Sequence, residues 1–274
     1  MTRSISVSTV LLCWNRVELS KRVLAAYLET ISVPFELIVV NNASTDETSL
    51  WLDSIKDDRG VTAVRETGVN DPGPALNDAL EQTSGELLMV LENDYLMLPG
   101  WDRYALECFC KLPSLGQLSI CTPRSSMIAS RHKDLVNLAR DNVVTSSIFR
   151  RDVFFEQGVR YVTRRVGGSR FPRDTHFSSQ IRALGLEVAW PARRMAISVG
   201  FDPAEFARDP EYYIQHYRAR VLDKVFWKQR LGEFVRMDFN KLSQAQRRVF
   251  VLLRLYCYRI GAKVGNIRVF RKPG

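Results

Sequence analysis

The sequence predicts an open α/β sheet, mostly parallel, with helices on its faces. Three observations carry that expectation. Short β-branched, apolar runs alternate with segments of helical periodicity through the first ninety residues, the pattern of a parallel sheet built by right-handed crossovers. The fourth run, Leu87-Leu88-Met89-Val90-Leu91, lies between Gly85 and Pro99-Gly100 and leads straight into Glu92-Asn93-Asp94. A run that short reads as a strand buried on both faces. No Gly-x-Gly-x-x-Gly follows the first strand, so this Rossmann-like sheet lacks a dinucleotide fingerprint.

The elements follow in order. Ile5 to Leu12 is the first strand and ends in Cys13-Trp14-Asn15-Arg16. Glu18 to Ile31 places Leu19, Val23, Leu24, Tyr27, Leu28 and Ile31 at helical spacing, an amphipathic helix. Phe35 to Val40 is the second strand. It runs into Asn41-Asn42-Ala43-Ser44-Thr45-Asp46, where Ser44 or Thr45 is placed to cap a helix carrying Leu50, Leu52 and Ile55. Val61 to Arg65 is the third strand. The turn Asn70-Asp71-Pro72-Gly73-Pro74 precedes a short helix around Ala75 to Gln82 and then strand four.

In the second half, Leu118 to Cys121 and Asn142 to Phe149 read as strands, with a polar loop from Pro123 to Asp134 between them. Phe177 to Leu184 reads as a helix, and Glu187 to Trp190 and Arg194 to Gly200 as strands. Residues 160–173 carry Arg160, Arg164, Arg165, Arg170 and Arg173 around Gly167-Gly168. That loop suits closure over a diphosphate or an anionic acceptor, and equally suits plain solvation. From Pro203 the chain turns helical, with an aromatic row read as packing, and its last helix spans Gln244 to Lys263.

Glu92 and Asp94 stand at the carboxyl end of strand four, where open α/β sheets place their ligand crevice. Two hard oxygen donors there suit a divalent cation that also binds phosphate oxygens. Taken alone, the triplet is equally compatible with a solvated acidic turn.

The upstream residues favour the first reading. Thr9-Val10-Leu11-Leu12-Cys13-Trp14-Asn15-Arg16 with Glu18-Leu19, then Ile38-Val39-Val40-Asn41-Asn42-Ala43-Ser44-Thr45-Asp46, then Asn77 before Ser84-Gly85-Glu86, then Leu91-Glu92-Asn93-Asp94 occur in that order. Together they resemble the motifs of family 2 glycosyltransferases. The likeness continues through Phe149-Arg150-Arg151-Asp152-Val153-Phe154 and Gly158, and through Asp174-Thr175-His176-Phe177 with Gln180 to Gly185. It implies a GT-A fold over residues 1–203, with a nucleotide-sugar half at 1–100 and an acceptor half at 101–203.

The resemblance also implies roles. Glu92 and Asp94 would bind Mn2+ or Mg2+. Asn15, Arg16, Asn41, Asp46, Arg65, Asn77 and Asn93 would line the nucleotide, with Asp46 equally suited to capping a helix. Asp174 would be the general base of an inverting transfer, and its position also suits an N-cap. Three departures stand out: Asn41 where the family usually has Asp, Glu92 where it has Asp, and Arg173 where Glu commonly precedes the acceptor-side carboxylate. The late-strand His of many relatives is replaced by Ser198-Val199-Gly200. His176 is the one histidine near this chemistry, and reads as a helix-start residue. A catalytically weak or inactive nucleotide-sugar-binding relative, acting as a subunit or scaffold, is the alternative that these departures favour.

Composition narrows the class further. With 274 residues, 46% hydrophobic and 25% charged, the chain is an ordinary globular protein with room for one large domain and an appendage. Its five cysteines, at 13, 108, 110, 121 and 257, form neither a disulfide framework nor a zinc knuckle. A reduced, cytoplasmic setting follows. No stretch reaches the length of apolar residues that spans a bilayer. From Lys241 to Gly274 there are nine Lys/Arg and no Asp or Glu, equal to the whole net charge of +9. This helical basic extension, 204–274, suits an anionic membrane surface through 244–274, peripheral at the inner face. No motif supports nucleic acid as a partner. The expected substrates are a nucleotide-diphosphate sugar donor and a glycan or lipid-linked acceptor.

Overall fold

The computed structural model describes residues 6–199, apart from 59, 124, 133, 167 and 168. The helical extension and the basic helix expected beyond residue 203 lie outside the described residues.

Strand β1 (Val7–Cys13) is buried at all seven positions. Its two hydroxyls are tolerated because each is bonded: Gly85 N donates to Ser8 Oγ at 2.6 Å, and Thr9 Oγ1 lies 2.7 Å from the Tyr27 hydroxyl. β1 pairs in parallel with β2 (Phe35–Asn41) and with β4 (Leu87–Glu92), and β3 (Ala63–Glu66) adds to β2. The crossovers are α1 (Val17–Thr30), α2 (Thr48–Ile55) and α3 (Pro72–Leu80). α3 begins within the expected turn, three residues before Ala75, on Pro72, whose missing N–H costs nothing at a first helical position.

The second half extends the same sheet. After β5 (Tyr95–Met97) and α4 (Trp101–Lys111) come β6 (Leu115–Ser119), β7 (Ile128–His132), β8 (Val136–Ala139), β9 (Ser147–Arg150) and α5 (Arg151–Phe155). β10 (Thr163–Val166), β11 (Ser169–Pro172), α6 (Asp174–Ala183), β12 (Glu187–Pro191) and β13 (Ala196–Ser198) complete the described order. The main sheet has nine strands in the order β3-β2-β1-β4-β9-β6-β12-β8-β7. β9 runs antiparallel between β4 and β6, which restores β6 to the direction of β4. β5 with β13, and β10 with β11, form two small antiparallel pairs.

Both sheet faces are covered. One core joins Val7, Leu11 and Val39 to Tyr27, Leu52, Trp101 and Tyr104 from α1, α2 and α4. The other joins Val10, Ile38 and Val90 to Leu76, Phe149, Val153 and Phe177, reaching α3, α5 and α6.

Three local expectations change. The polar loop expected at Pro123 to Asp134 contains β7, an edge strand mostly exposed, which therefore needs no apolar alternation. The basic loop at 160–173 is the β10–β11 hairpin. The strand expected from Asn142 shortens to Ser147–Arg150. Here the amide of Val143 donates instead to Ser178 Oγ at 3.3 Å.

Candidate active site

The C-terminal ends of β1, β2, β3, β4 and β6 open on one edge of the sheet, and the acidic pair sits at its centre. Glu92 closes β4 opposite Leu12. Its amide donates to Ser146 Oγ at 3.0 Å, and that hydroxyl donates back to Glu92 Oε2 at 3.2 Å. Asp94 lies in the turn before β5. Its Oδ1 is buried and has no hydrogen-bond partner among the described residues. A buried carboxylate oxygen left unbonded is expensive, which is why such atoms are rare unless a cation completes them. The pair therefore fits a hard divalent cation, with the remaining coordination left to oxygens from outside the protein. No cluster of three or more potential ligands occurs among the described residues. The late strand is β13: Ser198 pairs opposite Tyr95, and Val199 N donates to the Asp94 carbonyl at 2.8 Å.

Two neighbours feel this charge. Burial foremost pushes the Tyr95 phenol well above its ordinary range, with Cys121, Asp94 and Glu92 adding. Burial foremost, with the charges of Asp94 and Glu92 adding, pushes the Cys121 thiol up to about 12. Both groups stay neutral at physiological pH. Neither stood out in the sequence, where Cys121 ends an apolar run and gives no signal of its neighbours.

Asn93 lies between the two carboxylates but turns inward. It is 4% exposed. Its amide nitrogen donates to the Asn15 carbonyl at 2.9 Å and to Ser20 Oγ at 2.8 Å, while its oxygen accepts from Arg16 Nη2 at 2.9 Å. Asn93 thus staples the turn after β1 to the end of β4. That turn is left-handed at Asn15 (φ 54°) and Arg16 (φ 60°), as is Ala43 (φ 56°) in the loop after β2. Each such residue costs about 1–3 kcal/mol and persists because its surroundings over-determine it. Asn15 N donates to Ser44 Oγ at 2.8 Å, and Thr45 N donates to Asn15 Oδ1 at 2.7 Å, tying the two loops together.

Asp46 bonds the starts of two helices. Its carboxylate accepts from Val17 N at 3.0 Å and Thr48 N at 3.1 Å, the first residues of α1 and α2. One carboxylate thereby serves two helix N-termini, where negative charge is favoured. Ser44 and Thr45, expected to cap α2, bond Asn15 instead because α2 starts only at Thr48.

At the outer end of the crevice, Asn41 is 1% exposed and both atoms of its amide are engaged. Its nitrogen donates to Glu66 Oε2 at 2.7 Å, and its oxygen accepts from Ser44 N at 3.0 Å. Glu66, absent from the sequence-based set, ends β3 opposite Asn41 and also accepts from Ser49 Oγ at 2.9 Å. Arg65 is held by Gln82, with Nε 2.8 Å from Oε1, on the flank of α3. A phosphate contact would require it to leave that partner. Asn77 donates to the Tyr161 carbonyl and accepts from its amide, both at 2.9 Å, so its amide clamps α3 to the chain before β10.

Asp174 is the first residue of α6, with Arg173 at the N-cap position. Its Oδ1 accepts from Thr175 N at 2.7 Å. The Tyr161 phenol is raised by burial first, and the charges of Glu92 and Asp174 add to that. His176 Nδ1 lies 2.9 Å from Gln180 Nε2, a contact within α6. The hairpin leading into Asp174 is anchored at its base: Gly73 N donates to Thr163 Oγ1 at 2.9 Å, and that hydroxyl bonds Asp71.

Comparison with known proteins agrees with this geometry. The sequence matches the model of glycosyl transferase family 2 over residues 8–165. A poly-beta-1,6-N-acetyl-D-glucosamine synthase of Staphylococcus epidermidis is 27% identical over 113 residues. The match covers 41% of this chain, which spans 27% of that relative's length. Among solved structures, S. aureus TarS 1-349 superimposes with a TM-score of 0.56 at 16% identity, over 74% of this chain and 63% of its own. It has also been crystallised with UDP-GlcNAc. The mannosyltransferase PcManGT of Pyrobaculum calidifontis, solved with GDP-Man and Mn2+, gives a TM-score of 0.55 at 19% identity, over 84% of this chain and 65% of its own.

Proposed function

Because the chain belongs to glycosyl transferase family 2, we propose that it transfers a sugar from a nucleotide-diphosphate sugar to a glycan or lipid-linked acceptor, with inversion at the anomeric carbon. The observation that carries this reading is the buried, unpartnered Oδ1 of Asp94 at the mouth of β4. Asp94 and Glu92 would hold a divalent cation, which when bound offsets the charge gathering on the departing nucleotide diphosphate.

The chain's own residues do the rest. Ser146 aims Glu92, and the Asn93 staple fixes the turn carrying Asn15 and Arg16 beside it. Fixing donors in place before reaction is what makes such a site electrostatically effective. Asp174 accepts the proton of the acceptor hydroxyl as its oxygen attacks the anomeric carbon. The bond from that carbon to the diphosphate oxygen breaks, and its electron pair leaves with the nucleotide. Arg164 and Arg165, on the hairpin that leads into Asp174, would suit an anionic group on the acceptor. The relatives solved with UDP-GlcNAc and GDP-Man support a nucleotide-sugar donor, and the poly-N-acetylglucosamine synthase supports a glycan acceptor.

The test is nucleotide release from a panel of UDP- and GDP-sugars, with and without Mn2+ and chelator. Metal-dependent release, lost in Asp94→Asn, is the expected result. Release unaffected by chelator would overturn the cation site, and no release from any sugar nucleotide would favour the non-catalytic alternative.

A further inference from the structure

We infer that Glu66 is the residue that reads the nucleobase, selecting donors whose base presents a ring N–H. This inference rests on the functional reading above, and concerns a residue that the motif comparison did not single out.

Asn41 cannot perform that task as it stands. It is 1% exposed, and its nitrogen and oxygen are both committed to partners within the protein. Those bonds instead orient a carboxylate. Asn41 Nδ2 holds Glu66 Oε2 at 2.7 Å, and Ser49 Oγ holds Oε1 at 2.9 Å. Glu66 itself is exposed, and each carboxylate oxygen can accept a further hydrogen bond. A two-point brace on an exposed carboxylate pre-orders an acceptor without filling it, which lowers the ordering cost of binding.

Its place in the sheet matches one end of a nucleotide. Glu66 closes β3 and Glu92 closes β4, with β2 and β1 between them. Three strand spacings put them about 14 Å apart along one edge. A nucleoside diphosphate held through its phosphates at Glu92 and Asp94 would bring its base within reach of Glu66 by lying along that edge. A carboxylate only accepts, so it favours uracil, thymine or guanine, whose ring N–H donates. The ring-nitrogen acceptors of adenine and cytosine would be left facing a negative charge, which is how a polar site rejects the wrong partner.

Calorimetric binding of the full chain with Mn2+ decides. UDP and GDP are each compared with their ring-N-methylated forms, 3-methyl-UDP and 1-methyl-GDP, in wild type and in Glu66→Gln. For whichever nucleotide binds, methylation should weaken binding at least tenfold in the wild type. Glu66→Gln should weaken the unmethylated nucleotide by a similar factor and change the methylated one less than twofold. Equal binding of methylated and unmethylated forms, or a Gln variant that binds like wild type, overturns the role of Glu66 while leaving a nucleotide-sugar enzyme intact. Absence of binding by every nucleotide overturns both.

Discussion

Asp94 and Glu92 look alike in the sequence and differ in the fold. Glu92 has a serine to bond, whereas Asp94 keeps one oxygen buried and unbonded. A cation bound there would relieve the cost of that oxygen. Asp94→Asn should therefore leave the metal-free protein at least as stable as wild type in a thermal melt. Mn2+ at about 100 times its Kd should stabilise the wild type by about 2.7 kcal/mol and the variant hardly at all. In turnover the variant should lose about 2–4 kcal/mol of transition-state stabilisation. A variant whose melting point rises with Mn2+ as the wild type's does would refute the assignment. Asp174 carries a separate expectation. Asp174→Asn keeps an acceptor for Thr175 N, so the helix start should survive while turnover falls by roughly 10²–10⁴ with donor affinity unchanged. Product analysis showing retained anomeric configuration would rule that role out.

Among elements, the joint between α1 and α4 is the most exactingly made. Asp102, in the first turn of α4, accepts from the amide and hydroxyl of Ser32, the amide of Val33 and its neighbour Arg103 N. Burial alone would raise its carboxyl, but these bonds outweigh it and hold the group below the ordinary carboxylate range. A depressed folded-state value means that the ionised carboxylate stabilises the fold above the unfolded value of about 3.9, and that this contribution fades as pH falls below it. Asp102→Asn should cost about 1–3 kcal/mol at pH 7. Urea unfolding at pH 7 and at pH 3 should show the gap to wild type narrowing at the lower pH; a constant gap would refute it. The elements themselves were unevenly legible. β1, β2, β4 and α1 are written in their own residues, as apolar runs or helical stripes. α4 is not assigned from the sequence, because Pro99-Gly100 reads as a stop and its stripe, Ala105 apart, is built from the weaker helix formers Trp101, Tyr104, Cys108 and Phe109. β7 and the β10–β11 hairpin are held by pairing with the next strand in the chain and carry too little apolar alternation to read as strands. In the site, residue types were legible but their directions were not: Asn41, Asn77 and Asn93 all proved to face protein groups, and Glu66 emerged only through its bond to Asn41.

At the scale of the whole molecule, charge is segregated by sequence. The nine basic residues from Lys241 onward carry an excess equal to the full net charge of +9. Among the described residues no helix is long and apolar enough to cross a membrane. We propose that the segment from Gln244 docks on an anionic membrane face without crossing it. Arg254 and Arg259 interrupt its apolar run, and burying each at a bilayer centre would cost about 2.5–3.5 kcal/mol. Lying in the interface avoids that cost while each basic group contributes about 1 kcal/mol near an acidic leaflet. Liposome co-sedimentation should require anionic lipid, fall with salt and vanish on truncation after Asn240. Recovery that is indifferent to anionic lipid at low salt would refute it.

The sheet order also sets a timetable. β4 is flanked by β1, already synthesised, and by β9, whose Ser146 neighbour bonds Glu92 across 54 residues of chain. At about 5–20 residues per second, the ribosome needs roughly 3–10 s to deliver that partner. Through this interval an apolar strand ending in the acidic pair is an open edge, able to pair with another nascent chain. The window closes only when β9 arrives. Slowing translation between residues 95 and 150 should therefore raise the fraction lost to aggregation, whereas the same delay placed after 150 should leave yield unchanged.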